Sequence, residues 1–176
     1  RIAYGPQEAF ILNASVRDNI VFGAETSPLG DGADGGDDAL LAIAADCALL
    51  PDLRAMPLGF DTEIGERGVN LSGGQKQRVA LARAVHHLPG VVFLDDPLSS
   101  VDAHTEDLLV ERLLFGRFAG VTRVVVTHRL AHLPRFDRVR RAYGHGVLVS
   151  GRALPLKGRL DEDQHGFVLR TPSLTR

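Results

Sequence analysis

Two short apolar runs, each ending on chemically active residues, constrain this fold more than any other feature. VVFLDDP at residues 91–97 and RVVVTH at 123–128 are continuous rather than alternating. Continuous apolar runs of this length mark strands covered on both faces. Between them, residues 103–115 read as a helix, with Asp102 as its candidate N-cap and Gly116 as its stop. Buried strand, helix and buried strand predict an α/β fold with a parallel sheet core. Ligands of such sheets bind in the crevice outside the carboxyl ends of the strands. Asp95, Asp96 and His128 are all expected in that crevice. Asp95 suits Mg²⁺, held through water while phosphates take the other positions. Asp96 is placed to orient a water as general base, and His128 to hydrogen-bond a terminal phosphate. Each has a plainer reading, since an acidic strand end is often a solvated turn and a lone histidine is usually structural.

LSGGQKQRVALARAV, at residues 71–85, precedes the first run. Ser72 can cap a helix N-terminus, and Gln75 three residues on completes a capping box. Gly73 and Gly74 leave the first turn without side chains to block an anion. Helix N-termini favour negative charge by about 0.3–1 kcal/mol. An ordinary capped helix would explain Ser-Gly-Gly alone, but LSGGQ followed by a basic, alanine-rich helix is far more specific. The sequence contains no phosphate loop of the form GxxxxGK followed by Ser or Thr. Its two lysines, Lys76 and Lys157, precede Gln77 and Gly158.

Other segments organise around these motifs. Residues 1–23 read as a strand end, a loop and a short helix capped by Ser15 with Asp18. Residues 24–38, containing TSPLGDGADGGDD, are acidic and glycine-rich, and we expect a mobile surface loop. Residues 39–50 read as one mostly buried helix. Pro51, Pro57 and Gly59 are expected to break the chain into turns as far as residue 68. VRRAYGHGVLVSGR reads as a hairpin turning at Gly144-His145-Gly146, within a first domain of residues 1–150. Residues 151–176 show no clear pattern.

The bulk numbers exclude several classes. The 176 residues, 44% of them hydrophobic, suit one domain or most of one. A net charge of −2 offers no nucleic-acid footprint. No run approaches the roughly 20 apolar residues of a membrane span. The single cysteine, Cys47, excludes an internal disulfide and reads as buried filler. The abrupt start at Arg1, without Met, reads as a piece of a longer protein.

Taken in order, these motifs resemble the nucleotide-binding domain of an ATP-binding-cassette transporter, a P-loop NTPase fold with a helical signature subdomain. LSGGQ matches the signature, VVFLD the Walker B strand, residues 99–102 the D-loop, His128 the switch histidine and Gln7 the Q-loop glutamine. NASVRDNIVFG, DTEIGERG and LDDPLSSVDAHT look like the first such domain of the C subfamily, the multidrug-resistance-associated exporters. The resemblance covers residues 4–137. It implies ATP and Mg²⁺ as cofactors, with the metal held by Asp95 and Gln7. It implies nucleotide contacts from Gln7, Ser72, Gly73, Gly74, Gln75 and Asp102, and catalysis by Asp96 and His128. Two domains pair head to tail in the family, so LSGGQ would complete a partner domain's ATP site. Residues 63–68 would meet the transmembrane domains, at the cytoplasmic face of a membrane. The Walker A strand and loop are missing, and Asp96 stands where most members have glutamate. Aspartate is one methylene shorter, and misplacement of about 1 Å can cost about 10²-fold in rate. A weakly hydrolysing site is therefore expected here. Alternatives are a non-transport ATPase of the same family, which DTEIGERG argues against, and a regulatory module with little turnover. We expect the isolated chain to be inactive.

Overall fold

The computed structural model describes residues 1–22, 35–66, 68–87, 89–136, 138–141, 148–149 and 167–170. Three strands run parallel at the heart of the sheet: β1 (Ile2–Gly5), β4 (Val91–Asp95) and β5 (Thr122–Thr127), in the order β1-β4-β5. The two apolar runs are thus adjacent strands, joined by a helical crossover, as expected of a parallel pair. The rest of the sheet is antiparallel. β8 (Phe167–Arg170) lies between β5 and β6 (Arg138–Arg141), and β7 (Leu148–Val149) closes the edge. The sheet is therefore mixed, and residues 167–170 contribute a strand to it although their sequence shows no clear pattern. The expected hairpin agrees with the pairing of Val139 with Val149 and Arg140 with Leu148, while its turn lies outside the described residues.

One face of the parallel strands carries the core. Ala3, Val92, Leu94 and Val125 are buried against apolar side chains of the helices. A Cβ at Gly5 would meet the tip of Leu94 on the neighbouring strand at 2.8 Å and Leu81 of the overlying helix at 3.8 Å, so glycine leaves room there for the Leu94 side chain. The opposite face differs from the expectation of two covered faces. Ile2, Tyr4 and Phe93 are 72%, 61% and 41% exposed, because the core-forming helices among the described residues pack against the other side.

The helices begin where their caps dictate. Ser15, paired in β2 (Ala14–Ser15) with β3 (Glu63–Ile64), caps α1 (Val16–Val21) by accepting from Asp18 N. Arg83 locks α1 to the signature helix. Its guanidinium donates to Asn19 O at 2.7 Å and lies 4.2 Å from the Phe10 ring centroid. The acidic stretch read as a mobile loop falls outside the described residues up to 34. Its last four residues instead open α2 (Gly35–Asp46), where Asp37 and Asp38 meet the positive end of the helix dipole. Arg17 anchors Asp37 at 2.6 Å.

The single helix expected over residues 39–50 is two. α2 ends in a Schellman motif, with Leu49 N bonded to Ala44 O at 2.8 Å and Ala48 N to Ala45 O at 3.2 Å. Ala48 takes the left-handed position at φ +54. α3 (Leu50–Ala55) then begins with Pro51 in its first turn. Proline starts this helix rather than breaking the chain, since the N–H it lacks has no intrahelical partner at that position.

α4 (Gly73–His86) is the signature helix, and α5 (Ala103–Leu108) follows β4 under the Asp102 cap. α5 continues as a π-helix, Leu109–Arg117, closed by Phe118 N bonding to Leu113 O at 2.9 Å. Gly116, the expected stop, lies inside that wider turn. Arg123, buried on β5, donates to Leu114 O and Phe118 O and satisfies carbonyls at the helix end.

Candidate nucleotide site

The carboxyl ends of β4 and β5 bring three predicted groups to one edge. Asp95 is the last residue of β4 and pairs in register with Val126. Asp96 follows in a left-handed conformation, φ +46, which aspartate tolerates better than most side chains. Its amide donates to Val126 O at 2.7 Å, tying the turn to β5. This turn buries the Asp96 side chain and directs it toward the end of β5. Asp96 Oδ2 lies 2.9 Å from His128 Nδ1, and the Thr127 hydroxyl donates to Asp96 Oδ1 at 3.4 Å. The carboxylate is 8% exposed and the imidazole 60%, so the ring projects from a buried anchor into solvent. Gln7 is exposed in the loop after β1, two residues beyond Gly5, the register partner of Leu94.

Arg129, not singled out from sequence, stiffens the loop after His128. Its amide donates to the Thr127 hydroxyl at 3.0 Å, and its guanidinium reaches Glu106 at 3.3 Å and Leu98 O at 3.5 Å. Glu106 is buried on α5 and also meets His132 at 2.8 Å. Nothing in the local pattern around Arg129 announces the contacts of its guanidinium and of Glu106, because they join residues 23 to 31 positions apart.

The signature forms a second cluster. Ser72 caps α4, accepting from Gln75 N at 3.2 Å, while Gln75 Oε1 accepts from Ser72 N at 2.8 Å. The predicted capping box is complete. The glycines differ in their surroundings. A Cβ at Gly73 would meet Ser100 at 3.9 Å, an ordinary contact, whereas one at Gly74 would sit 2.6 Å from Ser100 O. Glycine at 74 lets residues 99–102 pack directly on the helix. The same segment ends at Asp102, which accepts from Thr105 N at 3.0 Å and from the Thr105 hydroxyl at 2.7 Å. Those hydrogen bonds, the hydroxyl's first, hold the Asp102 carboxyl below the usual carboxylate range. Residues 97–102 therefore link the two clusters, starting beside Asp96 and covering Gly74.

A groove of about 460 Å³ opens between the segment after Gln7 and the loop before the signature. Ile11, Leu12, Asn13, Glu66, Leu71 and Lys76 contribute to its walls. Asn13 Oδ1 accepts from Glu66 N at 2.8 Å, and a Cβ at Gly65 would collide with Asn13 Oδ1 at 2.2 Å. Gly65 has φ +105, so glycine is required there on both counts.

The donor set at the strand ends suits magnesium. Asp95 and Gln7 offer oxygens, and Mg²⁺ uses one or two protein ligands with phosphates and waters. Among the described residues no group of three or more His, Cys, Asp or Glu side chains could hold a metal. No helix of the described residues is long and apolar enough to cross a membrane.

Comparison with known proteins identifies the family. The profile of the family described as ABC transporter matches residues 1–99, more than half of the chain. ATP-binding cassette sub-family C member 2 of Homo sapiens is 42% identical over 175 residues, 96% of this chain and 11% of that protein. ATP-binding cassette sub-family C member 3 of Rattus norvegicus is 44% identical over 138 residues, 77% of this chain and 8% of that protein. A multidrug resistance protein of Leishmania tarentolae is 47% identical over 148 residues, 84% of this chain and 9% of that protein. The chain thus spans 8% to 11% of the length of these relatives. By these matches the chain belongs to the ABC transporter family, as part of a C-subfamily ATP-binding domain.

Proposed function

We propose that this chain works within the ATP-binding and ATP-hydrolysing domain of an exporter, at the cytoplasmic face of a membrane, and that its signature completes the ATP site of a partner domain. The observation that carries the reading is the Asp96–His128 pair beside Asp95, set at the strand ends where α/β sheets hold ligands. Asp95, with Gln7, would hold Mg²⁺, which supplies charge neutralisation between phosphates when bound. Asp96 orients the attacking water. His128, anchored through Nδ1, keeps its other ring nitrogen free to donate to a terminal phosphate oxygen.

Ser72 and Gly73 supply what the partner's nucleotide needs, a hydroxyl and a helix N-terminus. Charge-assisted hydrogen bonds of this kind are worth roughly 1.5–3 kcal/mol each. The groove lined by Asn13, Glu66 and Lys76 offers the transmembrane domains a docking place. It adjoins both the segment after Gln7 and the start of the signature helix. Nucleotide state sensed at Gln7 then reaches the membrane helices through one surface.

The test is Ser72→Arg in the full-length protein. Turnover at the partner's site should be abolished while ATP binding to this domain's own Walker loops stays nearly unchanged. Surviving turnover would show that LSGGQ is not presented in trans. A companion measurement is calorimetry on the 176-residue chain. We expect no tight ATP binding, because the sequence carries no phosphate loop.

A further inference from the structure

The groups that aim the signature are not all in the signature. Asp52 stands in the first turn of α3, and its carboxylate reaches across to α4. Oδ1 accepts from Gln75 Nε2 at 3.0 Å, and Oδ2 accepts from Arg78 Nη2 at 2.6 Å and Nε at 3.1 Å. The Asp52 and Arg78 side chains are only 13% and 12% exposed. A shielded carboxylate–guanidinium pair, with two guanidinium donors converging on one carboxylate oxygen, fixes geometry better than an exposed one.

Both ends of the Gln75 amide are thereby engaged. Its nitrogen serves Asp52 while its oxygen receives Ser72 N. Only one orientation of the amide satisfies both partners, so the carboxylate on α3 determines how the capping box faces. Arg78 extends the clamp to the other side. Its Nη1 would lie 3.4 Å from a Cβ at Gly74, the residue covered by Ser100. A continuous chain of contacts runs from α3 through Asp52, Gln75 and Ser72. Arg78, one turn further along α4, holds the same carboxylate.

From this we infer that Asp52 is a positioning residue for nucleotide turnover: it touches no reacting atom but sets where the Ser72 hydroxyl and the Gly73 amide are presented. The inference rests on the proposed role of LSGGQ in a partner's site. Without Asp52 the Gln75 amide is free to turn, Ser72 N loses its acceptor, and the helix N-terminus can tilt on the D-loop. Displacement of about 1 Å at a reacting centre costs about 10²-fold in rate.

The experiment uses the full-length protein with Asp52→Asn, Asp52→Ala and Asp52→Glu, measured beside Ser72→Arg. We expect kcat for ATP to fall about tenfold in Asp52→Asn and about a hundredfold in Asp52→Ala. KM and the melting temperature of Asp52→Asn should stay near the parent's. Asp52→Glu, which restores the carboxylate, should recover most of the rate. Asp52→Ala combined with Gln75→Ala should lose no more than the worse single variant, because both break one chain of contacts. Unchanged kcat in Asp52→Asn overturns the inference, as does a loss that follows the melting temperature or raises KM equally. If Ser72→Arg itself retains turnover, the trans role of the signature has failed. If Ser72→Arg is dead and the Asp52 variants are fully active, only the positioning role has failed.

Discussion

Asp96 Oδ2 sits 2.9 Å from His128 Nδ1, joining a buried carboxylate on one strand end to an exposed imidazole on the next. The pair exists because β4 and β5 are in parallel register, with Asp95 opposite Val126, so the residues just beyond each strand meet. Asp96 adopts a left-handed backbone, φ +46, to turn its side chain that way. Asparagine is equally at home in that conformation. Asp96→Asn therefore removes the charge without adding strain. In the full-length protein we expect ATP binding at this domain's own site to be unchanged. Residual turnover there should fall by about 10²-fold or more, the range removed with a general base. Vanadate-dependent trapping of ADP at this domain measures it. Equal trapping in parent and variant would remove Asp96 from the chemistry.

The two glycines of the signature should respond oppositely in stability. Alanine gains up to about 1 kcal/mol over glycine in a helix. At Gly73 the new methyl has room, 3.9 Å from Ser100, so Gly73→Ala should be neutral or slightly stabilising. At Gly74 it would lie 2.6 Å from Ser100 O, and backbone must move. Overpacking of this kind costs about 1–3 kcal/mol. The urea midpoint of Gly74→Ala should fall below the parent's, while that of Gly73→Ala stays level or rises slightly. Matching midpoints would mean that the D-loop does not rest on Gly74.

Ala48 holds the left-handed position of the Schellman motif that ends α2. Glycine is usual there because a Cβ costs roughly 1–2 kcal/mol in that region. Ala48→Gly should raise stability by about 0.5–1 kcal/mol, part of the relief being offset by the greater entropy of an unfolded glycine. A lowered urea midpoint would contradict this reading of the break between α2 and α3.

Much of this was legible in the primary structure, and the limits have a common cause. Ser15, Ser72 and Asp102 cap helices as their spacing predicts, because a cap is satisfied within three residues. The strands β4 and β5 were evident for the same reason, as local apolar runs. What escaped depends on distant or conformational facts. The break at Ala48 carries no glycine to announce it. Asp52 meets Gln75 and Arg78 across 23 and 26 residues, and PDLR reads as a turn until α3 is seen packing on α4. Phe167–Arg170 joins the sheet by pairing with β5 and β6, a choice made by tertiary partners rather than by its own composition. At the site, Asp96 and His128 were each placed at a strand end by pattern, but their bond needs the register and the left-handed turn.

His86 closes α4 in the interior, 1% exposed, and neither ring nitrogen has a hydrogen-bond partner among the described residues. Burial pushes its imidazole below the usual value of 6.5, and the neighbouring His87 adds to the effect. The unfolded chain therefore binds a proton at His86 at a pH where the folded chain does not. Stability rises with pH wherever the unfolded state holds more protons. The contribution of a neutral His86 is thus fully present above about pH 6.5 and is lost as pH falls through that value toward the folded pKa. The slope for one proton is at most about 1.4 kcal/mol per pH unit. Hydrogen-exchange protection of α4 in the full-length protein should weaken between about pH 7.5 and pH 5.5 after correction for intrinsic rates. His86→Leu, close in size and without a proton to bind, should flatten that dependence. If the variant shows the same pH slope as the parent, the loss of protection comes from groups other than His86.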